Sequence, residues 1–329
     1  MRPIRLRQLG RAWAARRVER QASQQRCREL LRDLPPIRPG SMHELCRAIR
    51  TPDGRPIRVH PMRFPPHGPA ALLGSADDEH VILVDETTSR WARWRAMAHE
   101  GAHVALGHGE EGMFAAEQWA LWFPDLDPAF VDRVLTSAKF TPGYYPTQQE
   151  RDAEALGARL LAAVLHGVPE GVVEGEAAPL PGRRDALYRR FWQLRPLWVE
   201  LVTAMPDVAL FPPRSALADL VHISDLEGRV MRQIIEILDI RGLTKDRQDP
   251  EVGAAARKLA RQANLPEQHV EATAEAAMLA DAARAVRRGA PPSPRGIACA
   301  ASVDVHAELA WVGLVAEAFT GPIVSEHFR

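Results

Sequence analysis

The sequence predicts an α+β protein: a first half built from a small antiparallel sheet and site-bearing helices, followed by an all-α second half. Three observations carry that prediction. Residues 55–60, 70–74 and 80–85 are short apolar runs set between Gly, Pro and Asp clusters, the pattern of short strands. The last run leads straight into residues 88–108, where Thr88 or Ser89 can cap a helix, no proline follows and Gly107 ends the run. Beyond residue 185 the apolar spacing is helical almost to the end.

Taken in order, residues 1–24 are rich in arginine and almost free of acid, and they read as an N-terminal extension without the apolar core of a secretory signal. Residues 22–50 read as a helix, a break at Leu34-Pro35-Pro36, and a second short helix over 42–49. The three strands follow, and the third, next to the main helix, is expected to offer an edge to an extended peptide. After the 88–108 helix comes a stretch with Phe114, Trp119, Trp122 and Phe123, then a helix over 127–138 with Pro128 in its first turn. A Pro/Gly turn at 141–146 delivers the chain to a helix over 147–166. Residues 167–184, with Pro169, Gly171, Gly175, Pro179, Pro181 and Gly182, read as a linker.

The second half opens on a helix over 185–205 that Pro196 is expected to kink. A capping box, Ser224 to Glu227, starts the next helix, and three more are expected at 249–263, 266–288 and 302–319. The organisation is therefore an extension over 1–24, a site-bearing domain over 25–166, a linker over 167–184 and a helical domain over 185–329.

Composition narrows the function classes. The 329 residues carry 42 basic and 42 acidic side chains, so no global field favours nucleic acid or an anionic membrane. Direct nucleic-acid binding is not expected, and the arginine-rich start is the one segment that could support it. No apolar run is long enough to span a bilayer. Cys27, Cys46 and Cys299 are few and far apart, which suits a reducing cytoplasm and proposes neither a disulfide framework nor a thiolate metal site.

The chemistry is concentrated in His99-Glu100-Gly-Ala-His103. A spacing of four puts both imidazoles on one helix face, and the helix is apolar around most of its circumference through Trp91, Trp94, Met97, Ala98, Ala102 and Val104. Buried polar groups there need partners or a metal. Two neutral imidazole nitrogens suit zinc, and an adjacent carboxylate suits a general base that takes a proton from a metal-bound water. A catalytic zinc site wants a third protein ligand. Gly109 occupies the position where a third histidine could follow, and His108 lies about 140° around a continued helix from His103 at ~100° per residue. Glu150 and Glu154, one turn apart on the later helix, can supply one ligand and one outer brace, with Asp152 close by. Tyr144, Tyr145, His108 and His166 are candidates for the donor to a developing oxyanion.

His99-Glu-Gly-Ala-His103 with Leu106-Gly-His108, then Glu150-x-x-Ala153 leading into Leu160-Leu161, resembles the ImmA/IrrE family of gluzincin metallo-endopeptidases over roughly residues 40–166. The resemblance implies a zincin-like domain, zinc held by His99, His103 and Glu150, Glu100 as general base and Glu154 outside the ligand shell. The chain departs from the family in carrying Glu154 at its usual Asn or Asp position and in lacking a proline after the Leu-Leu pair. The helical half is similar to regions that follow such domains in actinobacterial proteins labelled as toxin components. The implied activity is regulatory cleavage of a protein partner such as a helix-turn-helix repressor. The rival from another class is a non-catalytic, metal-containing binding regulator of toxin-antitoxin type.

Overall fold

The structure, a computed structural model, describes residues 25, 27–65, 69–108, 116–123, 126–135, 147–166, 183–221, 226–291 and 304–328. The N-terminal extension, Tyr144, Tyr145, Ser224 and nearly all of the linker lie outside the described residues. Cα proximity divides the chain into two compact units. One holds the described residues of Met1–Val84, Ala96–Phe140 and Gln148–Ala177; the other holds those of Asp85–Arg95, Thr141–Thr147 and Ala178–Arg329.

In the first unit, β1 (Ile57–Met62), β2 (Ala71–Ser75) and β3 (His80–Asp85) form one sheet in the order β1-β3-β2. β2 and β3 pair antiparallel, with Ala71 opposite Val84 and Ser75 opposite His80. β3 is therefore the central strand, which corrects the expectation that it offers a binding edge. Its backbone groups are already shared between two neighbours, and the free edges belong to β1 and β2. The apolar run of β3 fits that place, because every residue from His80 to Asp85 is buried. β1 reads as an edge, with Arg58, His60 and Pro61 exposed, and Pro61 has no N–H to give to a ladder.

One face of the sheet, through Leu72, Val81 and Leu83, packs on Trp119, Phe123, Val131 and Val134. Those side chains come from two short helices, Ala116–Trp122 and Pro128–Val134, and from Phe123 just after the first; the second helix is opened by Pro128, with Asp127 accepting a hydrogen bond from the Ala129 N–H at 2.8 Å. Gly74 makes the packing possible. A Cβ there would lie 2.5 Å from the Val134 carbonyl oxygen.

The main helices, in chain order, are α1 (Met42–Ala48), α2 (Arg90–Ala105) and α3 (Gln148–His166), and, opening the helices of the second unit, α4 (Arg183–Ala204). The Asp85 carboxylate accepts from the Thr87 N–H at 3.0 Å, and Ser89 Oγ caps α2 by accepting from the Ala92 N–H at 3.1 Å. α2 ends in a Schellman turn: Gly107 N–H bonds to the Val104 carbonyl at 3.0 Å and His108 N–H to the His103 carbonyl at 3.1 Å, with Gly107 at φ +64°.

The second unit is helical among the described residues. α4 runs through Pro196 without ending, and further helices span Leu226–Leu243, Pro250–Gln262, Glu267–Arg287 and Val305–Thr320. Each lies within a few residues of its expected bounds, and short helices at Ala216–Val221 and Pro322–His327 are added. The interior of Glu267–Arg287 is built from small residues, including Ala272, Ala274, Ala276, Ala277, Ala280 and Ala283, all buried. Small side chains let neighbouring helices approach closely. No described helix is long and apolar enough to cross a membrane.

Candidate metal centre

α2 and α3 meet at a glycine. A Cβ on Gly157 would lie 3.1 Å from His99 Cα and 3.2 Å from the Ala98 carbonyl oxygen, so the absence of a side chain sets the distance between the two helices at the first histidine. Two turns earlier on α3, Glu150 then faces the imidazoles. Glu150 Oε2 lies 3.3 Å from His99 Nε2 and 3.4 Å from His103 Nε2, and the two Nε2 atoms are 3.2 Å apart. Among the described residues this is the single group of three or more His, Cys, Asp or Glu side chains whose ligand atoms converge in this way.

The triangle has the size of one face of a tetrahedral site. Ligand atoms at ~2.0–2.1 Å from an ion stand about 3.3–3.4 Å from one another in a tetrahedron, against the observed 3.2, 3.3 and 3.4 Å. The donors also suit a borderline-soft divalent ion, with two imidazole nitrogens and one carboxylate oxygen. The His99, His103 and Glu150 side chains retain 21, 14 and 16% exposure, so the centre is reachable from solvent. A catalytic site needs such an open position.

The outer nitrogens of both rings are engaged. His99 Nδ1 lies 3.0 Å from Glu154 Oε2, and Glu154 itself is 3% exposed. His103 Nδ1 lies 3.0 Å from His108 Nδ1. Asp152 is turned to Gln148, whose amide donates to it at 2.8 Å. The three acidic candidates on α3 thus separate by position: Glu150 faces both inner nitrogens, Glu154 braces one ring, and Asp152 meets its own helix.

The electrostatics of the cluster follow from that geometry. Burial pulls the His99 imidazole down, but hydrogen bonds to the Glu150 and Glu154 carboxylates and the nearby charges of Glu154 and Glu100 outweigh it and hold His99 at about 10. Hydrogen bonds from His103 and His99 keep the Glu150 carboxyl well below the usual carboxylate range. A metal ion taking these atoms must displace the His99 proton.

Of the other sequence candidates, Tyr144 and Tyr145 lie outside the described residues, as does the side chain of His166. His108 does not stand where helical rotation puts it. α2 stops at Ala105, and the turn through Gly107 returns the His108 ring to His103 with ring centroids 5.0 Å apart. Gly157 escaped sequence reasoning altogether, although a glycine inside a helix, costing ~1 kcal/mol against alanine, is the signal of a close approach.

A second polar cluster in this unit has another character. Ser75 Oγ lies 2.7 Å from His80 Nδ1, and His80 Nε2 lies 3.1 Å from Asp53. Arg55 holds the same Asp53 carboxylate, and the neighbouring Ala76 N–H is spent on the Glu79 carbonyl. With its acid neutralised by arginine and that backbone donor occupied, the Ser-His-Asp set ties the β2-β3 hairpin to the 53–55 turn. Cys46 is inert for a related reason: burial pushes its thiol up to about 12.

Residues 182–321 match the model of a family described as being of unknown function, DUF6545. No curated protein and no solved structure matches the chain. The matched segment contains none of the three side chains, His99, His103 and Glu150, that converge in the first unit.

Proposed function

We propose that the protein is a zinc-dependent endopeptidase with a zincin-like first domain of ImmA/IrrE type, acting in the cytoplasm on a protein partner such as a helix-turn-helix repressor. The observation that carries this reading is the near-equilateral triangle of His99 Nε2, His103 Nε2 and Glu150 Oε2, with edges of 3.2 to 3.4 Å. Zinc held by these three side chains would supply a Lewis acid for a peptide carbonyl and would bring the pKa of a water beside Glu100 toward neutrality. Glu100, next to His99 on the partly exposed side of α2, is the general base that receives the proton and returns it to the leaving amine. Glu154 orients the His99 ring through its outer nitrogen and makes that ring a stronger donor.

The test is Glu100→Gln in the full chain. The substitution removes the proton acceptor and leaves all three ligands, so zinc content stays at the wild-type level while cleavage of the partner falls by about 10²–10⁴-fold. Cleavage by the variant at the wild-type rate would overturn the assignment of Glu100. A wild type that cuts nothing, and that holds zinc and its partner as well as Glu100→Gln does, would instead be a binding regulator.

A further inference from the structure

We propose that His108 is the positioning residue for the second histidine ligand: its Nδ1 accepts a hydrogen bond from His103 Nδ1–H and so fixes the plane and tautomer of the His103 ring. This rests on the metal reading above, and it assigns a role to a side chain that is not among the converging ligands.

The geometry carries it in three steps. When His103 Nε2 faces an ion, the remaining proton of the neutral ring must sit on Nδ1. That nitrogen lies 3.0 Å from His108 Nδ1 and the rings are inclined at 71°, so the shared proton needs a lone pair on the His108 side. His108 is then a neutral imidazole with its own proton on Nε2. The alternative arrangement, with His103 Nδ1 bare, would leave no lone pair of His103 Nε2 for a metal.

The backbone prepares this contact. Gly107, at φ +64°, adopts the left-handed conformation of the Schellman turn, and His108 is the residue that the turn folds back over the last helical carbonyls. Pro52 lies against this turn, 3.2 Å from where a Cβ on Gly107 would stand. The two ligands are thereby braced differently. His99 leans on a carboxylate, which pushes negative charge into the ring, whereas His103 leans on a neutral acceptor that orients without adding charge.

The experiment compares the full chain with His108→Leu, which keeps volume but loses the acceptor, and His108→Asn, whose amide oxygen can take the place of Nδ1. Zinc affinity is measured by competition with a chromophoric chelator, and the ligand field by the visible absorption of the cobalt(II)-loaded protein. His108→Leu should weaken zinc binding by about 10- to 100-fold and alter the cobalt spectrum, and His108→Asn should restore most of both. Equal affinity and an unchanged spectrum in His108→Leu would overturn the proposal. If that variant does not fold, ¹⁵N imidazole shifts of the zinc-loaded wild type decide instead: an unprotonated His108 Nδ1 supports the assignment and a protonated one contradicts it. A wild type without zinc would fail the preceding reading; a zinc-loaded wild type indifferent to His108→Leu would fail this one alone.

Discussion

The two units both bury carboxylates between helices, yet they do so with opposite chemistry. In the second unit arginine, indole and backbone donors gather on buried acids: Glu236 accepts from Trp198 Nε1–H at 2.5 Å, the Leu210 N–H at 2.9 Å and Arg232 at 2.8 Å. Asp219 is held by Arg195 at 3.0 Å and by Arg229, and Glu275 by Arg241 at 2.8 Å and Trp311 at 2.8 Å. Arginine and indole donate and have no lone pair to offer a metal. At the candidate centre of the first unit the partners of Glu150 and Glu154 are imidazoles, which carry lone pairs, and the cluster stays partly exposed. Arginine-carboxylate networks specify how helices pack; imidazole-carboxylate clusters with an open side can do chemistry.

The largest effect that sharpens this contrast is expected at Glu236. Glu236→Ala leaves Arg232, the Trp198 indole and the Leu210 amide without their shared acceptor, and should cost about 3–5 kcal/mol in stability, read by denaturant unfolding. The zinc content of the folded protein should not change. A loss below ~1 kcal/mol would mean that the network is solvated and the distinction between the units is overstated.

Gly157 is the next lever. Gly157→Leu places a side chain where the His99 backbone lies 3.1 Å away, pushes α3 from α2 and should destabilise the protein by about 1–3 kcal/mol. Because the same displacement carries Glu150 off the histidines, zinc affinity falls with it. Retention of wild-type affinity would show that the helix spacing does not set the site.

A smaller effect distinguishes the metal-free from the metal-loaded state. With its pKa raised from 6.5 to about 10, His99 contributes stability to the metal-free fold that is fully present below pH 6.5 and fades as pH rises toward 10. The depressed Glu150 works the other way, contributing above pH 4.5 and less as acid protonates it. Zinc bound at this cluster would reverse the slope at His99, since binding would release its proton. The zinc-induced rise in Tm should therefore be larger at pH 8 than at pH 6, by differential scanning fluorimetry. Equal shifts would place the bound ion elsewhere.

Much of the site was legible in the sequence, for reasons that are local. The spacing of His99 and His103 fixes a shared helix face whatever the surrounding fold, and Glu150 and Glu154 are likewise one turn apart on theirs. The choice among Glu150, Asp152 and Glu154 was not legible, because it depends on the rotation of α3 against α2, which the contact at Gly157 sets. Strand order was hidden as well. The apolar run of residues 80–85 announces burial, but nothing along the chain says that β2 and β1 flank it on both sides. His108 was misplaced by extending the helical rotation past Gly107, the residue whose positive φ ends that rotation. Helix positions in the second unit were readable from period and caps, while the pairing of Glu236 with Trp198, Leu210 and Arg232 arises only when the helices pack.

The central claim is that His99, His103 and Glu150 hold one zinc ion, and elemental analysis tests it most directly. Wild type purified without chelator is measured beside His99→Ala and Glu150→Ala. Near-stoichiometric zinc in the wild type, lost from both variants, is the predicted result. Wild-type protein without zinc, or zinc retained in full by both variants, would contradict the account.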